Sequence, residues 1–315
     1  MDNFIFSLNV TIPIFLVILL GYILRRLNFL TEEFVTVSNK YVFNVALPVM
    51  LFRDISSSNV SEDMSVKFFL FCMLVTIIMF LGVWGLAVLT IKDKTLVGAY
   101  AQAGARGSAA ILGVAFVENI CGNIGMTPLM IVAAVPFFNI MSVIILVFNA
   151  NNDENKDYGK IKSACINIAK NPIIIGIMVG LVASLINIKL PAIPARTVNY
   201  IAQTATPLAL ITVGAGFDTK QGIEKLRPAL GATFIKLIGL PLMFMPIAYK
   251  LGFSGSEMVA ILIMLASPTT VSSYIMAKNM DNDDILTSDV IVLTTLLSSL
   301  SLTLWIFILK TLGCI

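Results

Sequence analysis

The chain has 315 residues, of which 58% are hydrophobic and 12% charged, with a net charge of +3 and a mean hydropathy of +0.94. A soluble domain carries about 25% charged residues and could not bury this much apolar surface in a core of its own. The composition predicts an all-α integral membrane protein whose partner is the lipid bilayer and which binds no nucleic acid.

The inventory of reactive side chains excludes several classes of site. The chain has no histidine, and its four cysteines are scattered without a CxxC pair. A serine–histidine or cysteine–histidine catalytic centre is therefore excluded, and neither a zinc site nor a disulfide framework is expected. An intramembrane enzyme would need paired acids or a nucleophile–base pair, which the apolar segments lack. We expect no enzyme, no metal and no cofactor.

Ten segments have the roughly 20 mostly apolar residues that a membrane helix needs. The most polar stretch, 151–165, predicts a cytoplasmic linker between a first five-helix repeat (1–150) and a second one (166–315). In chain order the predicted spans are 8–27, 35–52, 66–90, 96–121, 126–149, 167–188, 196–217, 228–250, 257–278 and 285–310.

The positively charged residues of the loops predict the orientation of the spans. Loops on the side of the two termini hold six Lys and Arg residues, among them Arg53, and loops on the other side hold thirteen. Because cytoplasmic loops are enriched in these residues, both termini should lie outside. No targeting segment is evident, so a multi-pass protein of a bacterial plasma membrane is the default.

Matched irregularities predict that the two halves are repeats. Pro48 in the second span and Pro207 in the seventh are 159 residues apart, and the same offset relates the other spans. Five helices are an odd number, so the second half would enter the membrane from the opposite side, as in many secondary transporters. Both prolines are predicted helix breaks. The alternative is that common membrane prolines align by chance.

Two further breaks, in the fourth and ninth spans, are predicted to cross at mid-membrane. Gly104 and Gly107 flank Arg106 in the fourth span, and Pro268 interrupts the ninth. Freed backbone groups must then line a cavity, where half-helix N-termini bind carboxylates and Arg106 offers a bidentate fork. The alternative is an arginine held by backbone carbonyls. Hydroxyls beside the proline supply further candidate ligands: Thr269, Thr270 and Ser273.

Other polar side chains inside predicted spans have less specific interpretations. Asn139 is a buried amide that needs a partner, either in the protein or in a cavity. Lys236 and Asp289 approach from the same membrane face and are predicted to form a structural ion pair. The alternative for this pair is a coupling role in which the acid takes a proton.

Five stretches stand in this order along nearly the whole chain: "FNVALPVMLF", "AQAGARGSAAILGVAF", "KNPIIIGIMVGL", "TATPLALITVGAGF" and "ASPTTVSSYIMAKNMDND". Together they resemble the auxin efflux carrier family, most closely bacterial members named as malate or malonate permeases. The resemblance implies organic-anion substrates, helices four and nine crossing at the substrate site, an elevator motion and a homodimer. Ser108 stands where bacterial relatives commonly have asparagine, which leaves the substrate open.

The predicted function is secondary transport of a small organic anion, such as a carboxylate or an auxin-like acid, by elevator-type alternating access. Arg106, Ser108 and Thr269 would hold the carboxylate. The runner-up is a sodium-coupled symporter of the bile-acid type, which needs several oxygen ligands and finds no carboxylate near Pro268. A channel or a membrane sensor is a further alternative. Coupling to H⁺ or to Na⁺ stays open at this point, as does the direction of transport.

Overall fold

The computed structural model describes residues 2–56, 65–109, 116–118, 120–122, 125–150, 165–166, 168–186, 188, 190–217 and 219–315. These residues form helices and connecting turns, with no β-strand among them. The predicted linker 151–165 lies outside the described residues except for Cys165, and so does the stretch 110–115 of the fourth predicted span.

The longer helices of the described residues are numbered here in chain order. They are α1 (Asp2–Arg26), α2 (Glu32–Ser56), α3 (Val66–Thr90), α4 (Val97–Ala105), α5 (Thr127–Phe148), α6 (Pro172–Leu185), α7 (Ala192–Ala215), α8 (Thr219–Phe234, continued by Ile235–Gly239 and Leu240–Lys250), α9 (Gly255–Ala266), α10 (Ser272–Asn279) and α11 (Asp284–Thr311).

Five of these helices are long and apolar enough to cross a membrane, namely α2, α3, α5, α8 and α11. The shorter helices α6 and α9 are also apolar. This architecture is that of a helical membrane protein, and the ten spans stay a prediction.

The prolines that align at an offset of 159 residues do not interrupt their helices. α7 continues through Pro207 to Ala215. α2 continues through Pro48, after a single π-helical turn at Val42–Ala46. Proline lacks an N–H and clashes with the carbonyl four residues earlier, and a wider turn relieves that clash. The predicted breaks at Pro48 and Pro207 are therefore wrong.

A second π-helical turn, Ile235–Gly239, lies in the middle of α8 and precedes Pro241. The carbonyl of Leu237, four residues before this proline, loses its helical partner and instead accepts a hydrogen bond from the indole nitrogen of Trp305 at 3.0 Å. The turn is stabilised by α11 in this way. It also carries Lys236, whose side chain is fully buried.

Glycines allow the closest approaches between helices. A Cβ on Gly21 of α1 or Gly214 of α7 would collide with the backbone of the opposite helix, and the same holds for Gly176 of α6 against α2. Small residues of this kind let membrane helices pack backbone to backbone. The contacts pair α1 with α7 and α2 with α6, while α3 packs on α5 and α8 packs on α11.

Buried apolar side chains form two main clusters. The first core joins α3, α4, α5, α8, α9 and α11, with Phe80, Phe138 and Ile263 among its members. The second core joins α1, α2, α6, α7 and α10, with Ile177 and Val213 among its members, and takes a few side chains from α5 and α11. The candidate site lies where the two cores meet.

A capped turn positions α4. Asp93 accepts hydrogen bonds from the hydroxyl and the backbone N–H of Thr95, and these bonds hold the pKa of the Asp93 carboxyl below its usual value. The cap fixes the 3₁₀ turn Lys94–Leu96 that leads directly into α4. The start of the helix that ends at Arg106 is thereby fixed in place.

Candidate functional site

Two helices end inside the first core, and their broken segments contact each other. α4 ends at Ala105 and is followed by an extended Arg106, while α9 ends at Ala266 and the chain resumes as α10 at Ser272. The segment from residue 106 to 108 is called here the first break, and that from 267 to 271 the second break. The first break includes Gly107 and the second includes Pro268, whereas Gly104 lies within α4, so the predicted break at Gly104 is wrong.

Reciprocal hydrogen bonds join the two breaks. The backbone N–H of Ser108 donates to the carbonyl of Pro268 at 2.9 Å, and the hydroxyl of Thr269 donates to the carbonyl of Ala103 at 2.8 Å. The last four carbonyls of a helix have no partner within it, so the second bond satisfies one such group at the end of α4. The first break thus donates a backbone hydrogen bond to the second, and the second donates a side-chain hydrogen bond to the end of α4.

Local chemistry explains why the chain is not helical at these positions. Ser267 precedes a proline, which disfavours the helical conformation, and its backbone is extended (φ −63°, ψ 148°). Gly107 is needed for a different reason. A Cβ at this position would lie 2.5 Å from the Ser267 hydroxyl and 2.8 Å from the Lys236 ammonium. A larger residue here would force the Ser267 hydroxyl and the Lys236 ammonium to move.

The Arg106 side chain is 5% exposed, and the partners recorded for it are neutral. Its Nη2 donates to Asn139 Oδ1 at 2.6 Å and to Ser272 Oγ at 2.9 Å, and its Nη1 donates to the sulfur of Met276. The Asn139 amide is oriented by its own donation to the Val135 carbonyl. Within the described ranges, no ion pair involves Arg106. The guanidinium therefore carries a buried charge without a counter-ion there.

A cavity of about 330 Å³ opens beside this guanidinium. It is lined by α5 and the first break, by α2 and α7, and by Thr270 of the second break and Ser272 at the start of α10. Arg53 and Asp54 of α2 also line the cavity and pair with each other at 2.7 Å. Since this pair is neutral as a unit, the net positive charge of the lining comes from Arg106.

The cavity contains some of the predicted ligands and not others. Arg106, Ser108, Asn139 and Thr270 line it. Pro268, Thr269 and Ser273 do not line it. The hydroxyl and the backbone N–H of Thr269 are both engaged in protein contacts, and the Ser273 hydroxyl is buried without a hydrogen-bond partner.

Sequence reasoning missed several residues that line the cavity, among them Ser272, Arg53 and Asp54. Ser272 holds the Arg106 guanidinium, yet it belongs to the same hydroxyl cluster from which the neighbouring residues were chosen. Arg53 and Asp54 stand at the end of a span, where charged residues usually face water. An adjacent Arg–Asp pair five and six residues after a membrane proline is the one signal that could have marked them.

The predicted ion pair between Lys236 and Asp289 is wrong. Ion pairs in the part of the chain that the structure describes join other residues, and Lys236 instead donates to two backbone carbonyls. One carboxylate oxygen of Asp289 is buried and accepts no hydrogen bond. The π-helical turn of α8 directs the lysine toward the breaks and away from the start of α11.

Comparison with known proteins agrees with a membrane transporter. Residues 6–306 match a family described as membrane transport protein. The chain is 23% identical to an uncharacterized transporter of Methanocaldococcus jannaschii, with 96% of this chain and 98% of the relative covered. It is 26% identical to the uncharacterized transporter YfdV of Escherichia coli, with 87% and 88% covered.

A third relative carries a name that mentions a substrate. This Rhizobium meliloti protein, provisionally named a malonate transporter, is 23% identical, with 96% of both chains covered. The family match extends over nearly the whole chain and confirms the resemblance drawn from its motifs. The chain therefore belongs to the membrane transport protein family, that of the auxin efflux carriers, and is a transporter of the membrane.

Proposed function

We propose that this transporter carries a small organic anion whose carboxylate binds Arg106 in the cavity between the two cores. The single observation behind the proposal is the buried guanidinium without a counter-ion. A charge left unpaired in the protein interior costs several kcal/mol, and an anion in the cavity would remove that cost. The Asn139 amide orients the Arg106 guanidinium but, being neutral, does not balance its charge.

The remaining features of the cavity favour a small ligand with a carboxylate. Its volume lies at the small end of the roughly 300–1,000 Å³ of small-molecule sites. The hydroxyls of Thr270 and Ser272 stand at the start of α10, whose N-terminal end carries a partial positive charge. Because one relative is provisionally named a malonate transporter, malonate is the first substrate to test.

Alternating access would come from motion of the first core relative to the second. The cavity lies between elements of both cores, so sliding of one past the other would expose it to each side of the membrane in turn. We infer that α1, α2, α6 and α7 form the stationary scaffold, because they pack on each other through glycine seams. This is the elevator motion that the family resemblance implies.

The inverted repeat of five helices is part of the same proposal. In such a repeat the first helix of each half would pack on the second helix of the other, which fits the pairs α1–α7 and α2–α6. The pairs α3–α5 and α8–α11 are also equivalent under the repeat, because each joins the third and fifth predicted spans of one half. We propose crossing broken helices at mid-membrane and both termini outside. The homodimer and the bacterial plasma membrane stay predictions.

The test is uptake of radiolabelled malonate by proteoliposomes that contain the purified protein. We expect Arg106→Ala to lower uptake by about 30-fold or more, because removing one member of a buried charge pair costs roughly 2–5 kcal/mol. Arg196→Ala is the matched control, since it removes the same charge from an exposed position of α7.

Panels of mono- and dicarboxylates extend the test beyond one substrate. The proposal is supported if the wild-type protein takes up any carboxylate and this uptake is lost in Arg106→Ala but kept in Arg196→Ala. Undiminished uptake by a correctly folded Arg106→Ala protein would show that the anion binds elsewhere.

A further inference from the structure

A second buried cation lies at the meeting point of the two breaks. The Lys236 side chain is 0% exposed and does not line the cavity. Its ammonium donates to the carbonyl of Ala105 at 3.2 Å and contacts the carbonyl of Met264 at 3.5 Å. Within the described ranges, no carboxylate lies within 4.0 Å of it.

Both carbonyls belong to helix C-terminal ends. Ala105 is the last residue of α4, and Met264 stands in the last turn of α9. Each C-terminus carries about half a negative charge, so two of them facing one point present roughly one negative charge in total. One lysine ammonium neutralises both ends and satisfies carbonyls that have no helical partner. The charges therefore balance without a carboxylate.

The same arrangement of oxygens is the one that binds a cation in many transporters with broken helices. There, unwound carbonyls and half-helix C-terminal ends coordinate a Na⁺ ion that is transported together with the substrate. Here the lysine reaches that place from α8, because the π-helical turn directs its side chain between α4 and α9. A Cβ at Gly107 would lie 2.8 Å from the ammonium, so the lysine also packs directly on the first break.

We propose that Lys236 is a resident cation that takes the place of a coupling Na⁺ ion between the two helix ends. Transport then requires no inorganic monovalent cation, and Lys236 acts as a positioning residue that holds the first break with Arg106 toward the cavity. The inference rests on the transport function proposed above and deepens it. It names the residue that positions the site and states that transport needs no Na⁺.

The first arm of the test uses the wild-type protein. Malonate uptake by proteoliposomes is measured at equal ionic strength in sodium, potassium and choline buffers. Equal uptake in the three buffers is the expected result. Uptake that needs sodium would overturn the proposal, whatever the behaviour of any variant.

The second arm removes the lysine and offers a replacement cation. Purified Lys236→Ala is heated with and without ethylammonium, propylammonium, sodium or tetramethylammonium ions, and its unfolding temperature is recorded. We expect small primary ammonium ions to raise the unfolding temperature of this variant and not that of the wild-type protein. Tetramethylammonium has no N–H donor and should do nothing. Lys40→Ala, which removes an exposed lysine of α2, is the control.

Uptake by the same variants tests the positioning role. We expect Lys236→Ala to take up malonate about 100-fold more slowly, because a binding group displaced by about 1 Å loses on that order of rate. Propylammonium should restore part of it. A Lys236→Met protein with wild-type stability and uptake would overturn the proposal. If neither neutral variant folds, the comparison of buffers decides alone.

The two proposals fail in distinguishable ways. If no carboxylate is transported, the proposed function fails, and the thermal measurements on Lys236→Ala still test the cation site. If transport proceeds through Arg106 but depends on sodium, only the inference about Lys236 fails.

Discussion

Two buried cations meet at the same pair of helix breaks, and their surroundings differ. Lys236 is fully enclosed and its partners are the backbone carbonyls of two helix ends. Arg106 borders a cavity and its recorded partners are a neutral amide, a hydroxyl and a thioether. The charge of the lysine faces two helix C-terminal ends, whereas the arginine has neutral partners, and we propose that a ligand anion balances its charge.

The difference shows how a broken pair of helices can serve two purposes. The C-terminal ends of α4 and α9 meet at Lys236 and favour a positive charge, while the N-terminal end of α10 and its hydroxyls border the cavity and favour a negative one. A resident lysine satisfies the two C-terminal ends permanently. Under the proposed function, Arg106 supplies the charge that attracts an anion to the cavity, and mutations at the two cations can test this difference.

The largest expected effect is a difference in stability between substitutions of the two cations. Lys236→Met leaves two carbonyls without a donor, so we expect a loss of stability of about 1–3 kcal/mol for each unsatisfied buried group. Arg106→Gln removes an unbalanced charge and keeps a polar side chain, so its unfolding temperature should not fall. Thermal unfolding of the purified variants, with malonate binding measured in parallel, checks both expectations. Equal destabilisation by the two substitutions would remove the contrast between the cations.

The next effect concerns the space between the breaks. Gly107→Ala places a methyl group 2.5 Å from the Ser267 hydroxyl and 2.8 Å from the Lys236 ammonium. Overpacking of this kind costs about 1–3 kcal/mol, and it should also lower malonate uptake because Arg106 is the adjacent residue. Gly82→Ala in α3 is the control, since no atom lies within 4 Å of its added methyl group. A Gly107→Ala protein as stable and active as the control would show that the breaks are not closely packed.

The smallest expected effects are those of removing the hydroxyls of two adjacent threonines, one of which should change stability and the other the KM. Thr269→Val removes the hydroxyl that donates to Ala103, so it should cost about 1 kcal/mol of stability and leave the KM for malonate unchanged. Thr270→Val removes a hydroxyl that lines the cavity, so it should raise the KM a few-fold and leave stability nearly unchanged. Uptake kinetics and thermal unfolding of both variants check the pair. The reverse pattern would place Thr269 in the binding site.

Sequence patterns predicted the two breaks near Arg106 and Pro268 but not the continuity of the helices at Pro48 and Pro207. Glycine, proline and hydroxyl residues mark the breaks at Arg106 and Pro268 because they act through local backbone chemistry. The same reasoning failed at Pro48 and Pro207, since neighbouring helices and a π-helical turn stabilise continuous helices there. A proline in a membrane span predicts a defect in the hydrogen-bond ladder, and tertiary packing decides whether that defect becomes a break.

The sequence did not predict which groups Lys236 and Ser272 contact in the folded protein. The sequence predicts a pair between Lys236 and Asp289 because the two opposite charges enter the membrane from the same face. The wide turn before Pro241 rotates the lysine toward carbonyl groups, and carbonyls leave no mark in a sequence. For the same reason Ser272 could not be separated from the other hydroxyls, since its role depends on where the Arg106 guanidinium lies in space.

The most direct measurement is an experimental structure of the protein in nanodiscs with malonate and sodium present. The account predicts a carboxylate about 2.7–2.9 Å from the Arg106 guanidinium, and the Lys236 ammonium still on the ends of α4 and α9 with no ion beside it. A carboxylate bound away from Arg106, or a sodium ion between those helix ends, would contradict it.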